Sequence, residues 1–389
     1  MREDDPYEAI FALLEEAVAG GVTPGCVALV WRAGSLEYHE AHGVLATDER
    51  SSVRDLQVKR DTRYDLASLT KVLATTTLAA LFVSEGRVRL DDELPAPFAT
   101  EHPGVTLRSL LAHEGGFPAH REFFARDGLR TREAVLQAVA REPRLAPPGA
   151  QTLYSDLGFM ALGAWLEYLG GESLDRLFMR SLAPLIRDDT DAVPTIAFRP
   201  TSGGVLSWED ERRVAPTEVY EPTRGGALSH ESVRRMSQQI AHGFVHDDNA
   251  FVMGGVAGHA GLFGSAEAVL ELARGWLELR IPGLDRAVRD EFWGWSSALH
   301  SPRKLGWDGV SPDGSGSTGS AIHPASVGHL GFTGCSLWID PREPAIYVLL
   351  SNRVHPRRGA VEGIRALRRA FHAVAAGSAA KSGTPSGGR

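Results

Sequence analysis

Ser68 and Lys71, three residues apart, are of types and at a spacing that could do chemistry. Residues three apart share one face of a helix, so this hydroxyl and this amine would meet at hydrogen-bonding range. The unpaired amides at a helix start also favour negative charge on a nearby reacting carbonyl oxygen. The pair therefore indicates a serine nucleophile with an amine partner.

A structural interpretation of the same residues is open. Ser-x-x-Lys is a common pattern, and a serine near a helix start is usually a cap. Residues 72–83, however, are almost all apolar or threonine and carry no charge, which is typical of a buried helix. A lysine directly before such a helix costs stability unless it is partnered or neutral. The position therefore favours a functional pair.

Two later motifs could complete such a site. Tyr154 precedes a predicted helix, and a nearby cation would lower the pKa of its phenol and make it a base. Asp156 is either part of the same site or simply the cap of that helix. Residues 329–334 read HLGFTG. Their glycines would let the backbone of a strand approach a substrate closely, so that a backbone amide donates a hydrogen bond to an oxyanion. The alternative is an ordinary strand with a bulge.

Several histidines and glycines are interpreted as structural. His242 and His246 are four apart beside two aspartates, but a third metal ligand at a defined spacing is missing, so we expect no metal. His113 and His120 are predicted to be loop residues with hydrogen bonds. The G-x-G-x-x-G match at 314–319 has no strand before it and no helix after it, so we expect no dinucleotide cofactor.

Composition narrows the partners. The 389 residues are 43% hydrophobic, which allows a large core in two domains or one large one. Net charge is -8, from 41 basic and 49 acidic residues, and nucleic acid is not an expected partner. Cys26 and Cys335 are predicted to be reduced. No apolar run reaches the roughly 20 residues of a membrane span, and the amino terminus lacks a signal-peptide pattern, so a cytoplasmic location is expected.

Strand-like runs occur at both ends of the chain, at 26–31, 36–46, 327–340 and 345–353. Helical periodicity is found between and around them, at 7–19, 131–142, 157–169, 173–182, 230–242, 266–280 and 358–375. This order predicts an α/β domain formed by residues 1–90 and 251–376, interrupted by a mostly helical domain at 91–250, with a disordered tail at 377–389. The active site would lie between the domains.

Taken together, these residues resemble the serine β-lactamase and penicillin-binding-protein superfamily. The resemblance is to its class C branch, which also contains esterases, D-amino-acid peptidases and D-alanyl-D-alanine carboxypeptidases. The matching phrases follow the order of that branch over about residues 20–375: DLASLTKV, RSLLAHEGGFP, PPGAQTLYSDLGF, GGVAGHAGLF, GHLGFTGCSLWIDP and LSNRVHP. The resemblance implies the β-lactamase/transpeptidase-like fold, an antiparallel sheet flanked by helices with an inserted helical domain.

The resemblance also implies roles for single residues. Ser68 would be the acylated nucleophile, Lys71 its proton partner and Tyr154 the tyrosine of the second motif, which we favour as the base. The third motif would fall on residues 329–331, and the amides of Ser68 and Phe332 would form the oxyanion hole. The implied substrate-binding and oxyanion group is Asp156, His329, Gly331, Phe332 and Thr333.

Three departures from the family pattern suggest its substrates. Asp156 replaces an asparagine and should hold Lys71 protonated. His329 replaces a lysine that commonly meets a substrate carboxylate, and Leu330 replaces a hydroxyl residue with the same partner. Since imidazole is mostly neutral at pH 7, anionic β-lactams should bind weakly.

The predicted function is therefore a cofactor-free serine hydrolase that cleaves a small-molecule ester, amide or peptide through an acyl-enzyme on Ser68. It is expected to be esterase-like, with weak β-lactam activity. A D-alanyl-D-alanine carboxypeptidase, a D-amino-acid peptidase and a true class C β-lactamase are the enzymatic alternatives. An inactive penicillin-binding sensor and a metal-dependent hydrolase using His242 and His246 are the others.

Overall fold

The structure, a computed structural model, describes residues 6–186, 195–198, 208–219 and 240–382. The strands in this part of the chain are β1 (Gly25–Arg32), β2 (Ser35–Gly43), β3 (Tyr64–Asp65), β4 (Ile196–Phe198), β5 (Leu262–Gly264), β6 (Asp308–Gly309), β7 (Val327–Leu330), β8 (Ser336–Asp340) and β9 (Ala345–Ser351). A six-stranded antiparallel sheet has the order β2-β1-β9-β8-β7-β6. Strands from both ends of the chain therefore meet at the β1–β9 pair, and the predicted antiparallel sheet is confirmed.

Helices cover both faces of this sheet. The helices in the described part of the chain are α1 (Pro6–Ala19), α2 (Thr77–Ser84), α3 (Phe98–Glu101), α4 (Leu107–Leu111), α5 (Arg132–Arg141), α6 (Asp156–Gly170), α7 (Leu174–Ile186), α8 (Trp208–Glu211), α9 (Asp248–Val252), α10 (Ala266–Leu277), α11 (Arg286–Gly294) and α12 (Val361–Ser382). A π-helical turn, Lys71–Thr76, precedes α2, and a 3-10 turn, Phe123–Ala125, lies between α4 and α5. No helix in the described part of the chain is long and apolar enough to cross a membrane.

The sequence of β1 explains why both faces are covered. Its residues GCVALVWR are all buried, and alternate side chains point to opposite faces of a strand. One set packs with α1 and α12: Cys26, Ala28 and Val30. The other set joins the larger core that contains α2, α6 and α10: Val27, Leu29 and Trp31. A strand buried on both sides needs a helical layer on each, which is what the fold supplies.

Three details differ from the sequence predictions or extend them. The strand-like run 327–340 is two strands, β7 and β8, joined by a turn at 331–335. The last helix continues to Ser382 instead of ending at 375. The mostly helical segment 91–250 contributes β4 to a small sheet with the order β3-β5-β4. The predicted helix 230–242 falls mainly on residues outside the described part, as does 383–389 of the predicted tail.

Candidate active site

Ser68 lies in a tight turn between β3 and the central helix. The turn holds Ala67 in a left-handed conformation (φ 46°), which costs a non-glycine residue about 1–3 kcal/mol. The buried Asp65 carboxylate fixes this turn. Its Oδ1 accepts from the Ala67 amide at 2.8 Å and its Oδ2 from the His246 amide at 2.6 Å. The predicted central helix is confirmed, with a π-helical first segment directly after the turn that holds Ser68.

Lys71 is completely buried beside Ser68. Its Nζ lies 3.1 Å from Ser68 Oγ, 2.7 Å from Asp156 Oδ1 and 3.1 Å from the carbonyl oxygen of His259. An ammonium group has three protons to donate, and these three acceptors use all of them. The surroundings of Nζ therefore suit a charged amine and do not suit a neutral amine that accepts a proton.

The charges of Lys71 and Asp156 depend on each other. Burial, the largest single effect, works against the charge on Lys71, but the Asp156 carboxylate and Tyr154 together outweigh it, so the pKa of Lys71 lies above its usual value. Burial would raise the pKa of Asp156, yet the Lys71 ammonium holds that pKa well below its usual range. The prediction that Asp156 keeps Lys71 protonated is confirmed. The alternative role of Asp156 as a helix cap is wrong, because Ser155 Oγ accepts from the Gly158 amide at 3.0 Å and caps α6.

Tyr154 stands over the ammonium group, with Lys71 Nζ 4.9 Å from the centre of its ring. The prediction that a nearby cation lowers the pKa of Tyr154 is wrong in its net direction. Burial raises the pKa of the Tyr154 phenol by more than Lys71 lowers it. Tyr154 is therefore a neutral phenol in the resting site.

Two buried histidines flank Tyr154, with ring centres 4.6 Å away for His113 and 5.8 Å away for His329. His113 Nδ1 accepts from the Ser155 amide at 3.0 Å, so its proton sits on Nε2. His329 Nδ1 lies 2.9 Å from the Leu330 carbonyl oxygen and must donate, so its Nε2 carries a lone pair. Burial lowers the pKa of both, that of His329 to about 4. The prediction of a neutral imidazole at position 329 is confirmed.

The turn between β7 and β8 packs against the turn that holds Ser68. A Cβ atom on Gly331 would lie 2.6 Å from the Leu66 carbonyl oxygen, so this close approach requires glycine. Thr333 is completely buried and its Oγ1 donates to the Asp65 carbonyl oxygen at 2.7 Å. The hydroxyl of Thr333 is therefore used inside the fold and does not line the cleft. Phe332, between these two residues, is half exposed.

Ser68 opens into a cleft of about 360 Å³. The residues that line the cleft are Ala67, Ser68, His120, Glu122, Phe124, Tyr154, Asp156, His246, Asp247, Asp248, His259, Ala260, Phe332 and Arg358. The predicted site residues among them are Ser68, Tyr154, Asp156 and Phe332. The predicted residues that are buried and lie outside this lining are Lys71, His329, Gly331 and Thr333. The structure therefore brings the predicted residues together but divides them between a cleft wall and its support.

The cleft also contains residues that sequence reasoning did not assign to the site. His120, predicted to be an ordinary loop residue, has Nδ1 3.5 Å from Asp156 Oδ2. His259 is held by Asp247, with Nε2 2.9 Å from Oδ1. The only available signal was for His259, which lies inside the family-like phrase GGVAGHAGLF; His120 lies two residues after the phrase RSLLAHEGGFP. Neither position states what the histidine contacts.

The predicted pair His242 and His246 does not form a two-histidine helix face, because neither residue lies in a helix. His242 Nε2 lies 2.9 Å from the Val214 carbonyl oxygen. His246 Nε2 lies 3.0 Å from Glu218 Oε2, and its ring stacks on Phe332 with centres 5.6 Å apart. The two rings thus serve separate contacts.

Known proteins resemble this chain over most of its length. The Beta-lactamase family model matches residues 10–371. A putative D-alanyl-D-alanine carboxypeptidase from Escherichia coli (strain K12) is 30% identical over 360 residues, which cover 85% of this chain and 79% of that protein.

Two solved structures share the fold. A LovD6 mutant of the simvastatin synthase LovD from Aspergillus terreus has a TM-score of 0.71 at 20% identity, covering 97% of this chain and 96% of that one. EstCE1, described as a hydrolase with promiscuous acyltransferase activity, has a TM-score of 0.67 at 20% identity, covering 94% and 98%.

Proposed function

The chain is a serine hydrolase of the β-lactamase family, and we propose that it hydrolyses neutral esters or amides through an acyl-enzyme on Ser68, with weak activity on β-lactams. Support for this role of Ser68 comes from the turn after β3, which places Ser68 at the cleft with its Oγ 3.1 Å from the Lys71 ammonium. A charged amine at that distance stabilises negative charge that develops on the attacking oxygen.

The neutral resting state of Tyr154 determines how the serine proton leaves. As Ser68 Oγ bonds to the carbonyl carbon, its proton passes to the Tyr154 oxygen, and Tyr154 passes its own hydroxyl proton to the leaving oxygen or nitrogen. This relay needs no resident phenolate, in keeping with the raised pKa of Tyr154. Lys71 stays charged throughout this acylation step. The amides of Ser68 and Phe332 are the proposed donors to the oxyanion.

The charge of the cleft carries the proposal for neutral substrates. Among the described lining residues are four carboxylates and one arginine: Glu122, Asp156, Asp247, Asp248 and Arg358. Arg358 is itself paired with Glu218 at 2.6 Å. His329 is buried and uncharged at neutral pH, so it adds no cation for a substrate carboxylate. A substrate anion would meet like charge, which opposes binding.

A second candidate function is a carboxypeptidase acting on peptides that end in D-amino acids. Two observations favour it. The Escherichia coli relative is named as a putative D-alanyl-D-alanine carboxypeptidase. Arg358, 38% exposed at its side chain, lines the cleft and is the type of residue that recognises a peptide carboxylate.

A matched pair of aryl esters separates these possibilities. We expect p-nitrophenyl butyrate to be hydrolysed with a kcat/KM about 100-fold above that of the p-nitrophenyl monoester of succinic acid. The two acyl chains have the same number of carbons, and the succinyl chain carries a carboxylate where the butyryl chain has its terminal methyl group. The cephalosporin nitrocefin and a D-alanyl-D-alanine peptide should be poorer substrates than the butyrate. Ser68→Ala is the control for background hydrolysis. A preference for the anionic ester, the cephalosporin or the peptide would contradict the proposal.

A further inference from the structure

We propose that His120, oriented by Asp156, is the general base that activates water to hydrolyse the acyl-enzyme, a role that rests on the proposed acylation of Ser68. His120 lines the same cleft as Ser68, and its side chain is 45% exposed, so water and the imidazole can meet there. His120 and Asp156 form the proposed dyad, and Asp156 also contacts Lys71.

The backbone around His120 is fixed on the start of α6. Ser155 Oγ donates to the Pro118 carbonyl oxygen at 2.6 Å, and the Asp156 amide donates to the Ala119 carbonyl oxygen at 2.9 Å. The residues before His120 are thus tied to the same helix end that carries Asp156. These bonds hold the backbone next to His120 close to Asp156, although 35 residues lie between Ala119 and Ser155 in the sequence.

The dyad also fixes which nitrogen of His120 carries a proton. A carboxylate only accepts hydrogen bonds, so His120 Nδ1, which faces Asp156 Oδ2 at 3.5 Å, is the protonated nitrogen. Nε2 then keeps its lone pair and can accept a proton from water. A contact of 3.5 Å is long, as catalytic hydrogen bonds often are before substrate binds.

The other polar groups near Ser68 are less suited to this step. Lys71 Nζ is a charged donor with three acceptors, and Tyr154 is a neutral phenol. His259 is almost completely buried, with Nε2 on Asp247. His120 therefore combines exposure to the cleft with a carboxylate that orients it.

A water oxygen bonds to the acyl carbon while one water proton moves to His120 Nε2, and the carbonyl electrons move to the oxyanion. The oxyanion electrons then re-form the carbonyl, the bond from carbon to Ser68 Oγ breaks, and Ser68 Oγ takes a proton from Lys71 Nζ. Lys71 regains a proton from the His120 imidazolium, to which Asp156 links it. The products are the free acid and the original enzyme.

The charged groups around His120 set the pH at which the step works. They are Asp156 on α6, Asp247 before α9 and Glu122 on the same loop, and they raise the pKa of His120, with Asp156 the largest cause. Because the base must be neutral, kcat should fall as the pH falls through this raised pKa. In Asp156→Asn the fall should move to lower pH, since the main cause of the shift is removed.

The test is pre-steady-state hydrolysis of p-nitrophenyl butyrate by wild type, His120→Gln and His120→Ala. We expect the acylation burst to keep its rate in both variants, while steady-state turnover falls about 100-fold and the acyl-enzyme accumulates in intact-mass spectra. Imidazole added to His120→Ala should restore turnover. The exposed His323→Gln is the matched control and should behave as wild type.

The possible failures are distinguishable. Turnover within about twofold of wild type in both variants, or equal losses of burst and turnover without imidazole rescue, would overturn the role of His120 in hydrolysing the acyl-enzyme. Absence of any acyl adduct on Ser68 in wild type would instead overturn the proposed function. Two substitutions of different size, together with rescue, separate a missing base from a misfolded loop.

Discussion

The polar residues on the helix side of Ser68 (Lys71 and Asp156) and those on its strand side (His329 and Thr333) differ in their charge and in their contacts. On the helix side, Lys71 and Asp156 are charged, paired at 2.7 Å and closed off by the His259 carbonyl. On the strand side, His329 is neutral, and its buried Nε2 has no hydrogen-bond partner among the described residues. Thr333 there is tied to the backbone of Asp65. Of these four residues, the two on the helix side are thus charged, while His329 and Thr333 on the strand side are uncharged.

The largest effect is expected from breaking the helix side. Lys71→Met removes the ammonium and leaves the Asp156 carboxylate without its main partner. We expect kcat/KM for an aryl ester to fall at least about 1000-fold and the free energy of unfolding to fall by about 3 kcal/mol. Urea unfolding and ester hydrolysis measure the two effects. Asp156→Asn, which keeps an acceptor for Lys71, should lose less stability, and an equal or larger loss would contradict the account.

Tyr154 lies where the two sides meet and gives the next effect. Tyr154→Phe removes the hydroxyl that relays the serine proton, so acylation of Ser68 should slow by about 100- to 10,000-fold. The burst phase of ester hydrolysis reports this rate. Tyr168→Phe is the matched control, because Tyr168 lies on the same helix α6 and is exposed. Acylation at a near-normal rate in Tyr154→Phe would rule out the relay.

Behind the strand side, His372 offers a test of buried neutral histidine. It is completely buried on α12, with Nε2 3.3 Å from Ser336 Oγ on β8, and burial lowers its pKa to about 3. The unfolded chain binds a proton at this position near pH 6.5, but the folded protein does not, so stability falls as the pH drops below 6.5. His372→Phe should remove about 2 kcal/mol of the stability loss between pH 6.5 and 4.5.

Urea unfolding at several pH values measures this slope. Activity at neutral pH should not change, since His372 packs between α12 and the sheet, against Trp338 and Tyr347. The exposed His323→Gln serves as the control and should keep the wild-type slope. An unchanged slope in His372→Phe would show that this histidine is not a buried neutral group.

The smallest effect belongs to Thr333. Thr333→Val removes the donor to the Asp65 carbonyl oxygen and should cost about 1 kcal/mol of stability, with KM unchanged. Urea unfolding and steady-state kinetics are measured on the same preparation. A higher KM with unchanged stability would place the hydroxyl on the substrate instead of in the fold.

Much of the helix side was predictable because the residues that form it are close in sequence or lie in a family motif. The spacing of Ser68 and Lys71 places both on one helix face, and that geometry needs no tertiary information. The pairing of Asp156 with Lys71 was predicted from its place in the second family motif. The role of Ser155 as the cap was missed, since two neighbouring cap-type residues are equivalent in sequence terms.

The strand side and the cleft mouth were less predictable. A run of strand-like residues at 327–340 gives no sign of the turn at 331–335, so the burial of the Thr333 side chain in that turn could not be predicted. His120 meets Asp156 only after the loop is tied to α6, and its sequence neighbours do not encode that contact. The direction of the pKa shift of Tyr154 depended on burial, which the motif does not state.

Ser68 is the proposed acylated nucleophile of an enzyme that prefers neutral substrates. The most direct test is the intact mass of wild type and Ser68→Ala after incubation with an aryl phosphonate and, separately, with benzylpenicillin. We predict a phosphonate adduct on wild type that is absent from Ser68→Ala, and no lasting penicillin adduct on either protein. Phosphonate labelling that persists in Ser68→Ala, or a stable penicillin adduct on Ser68, would contradict the account.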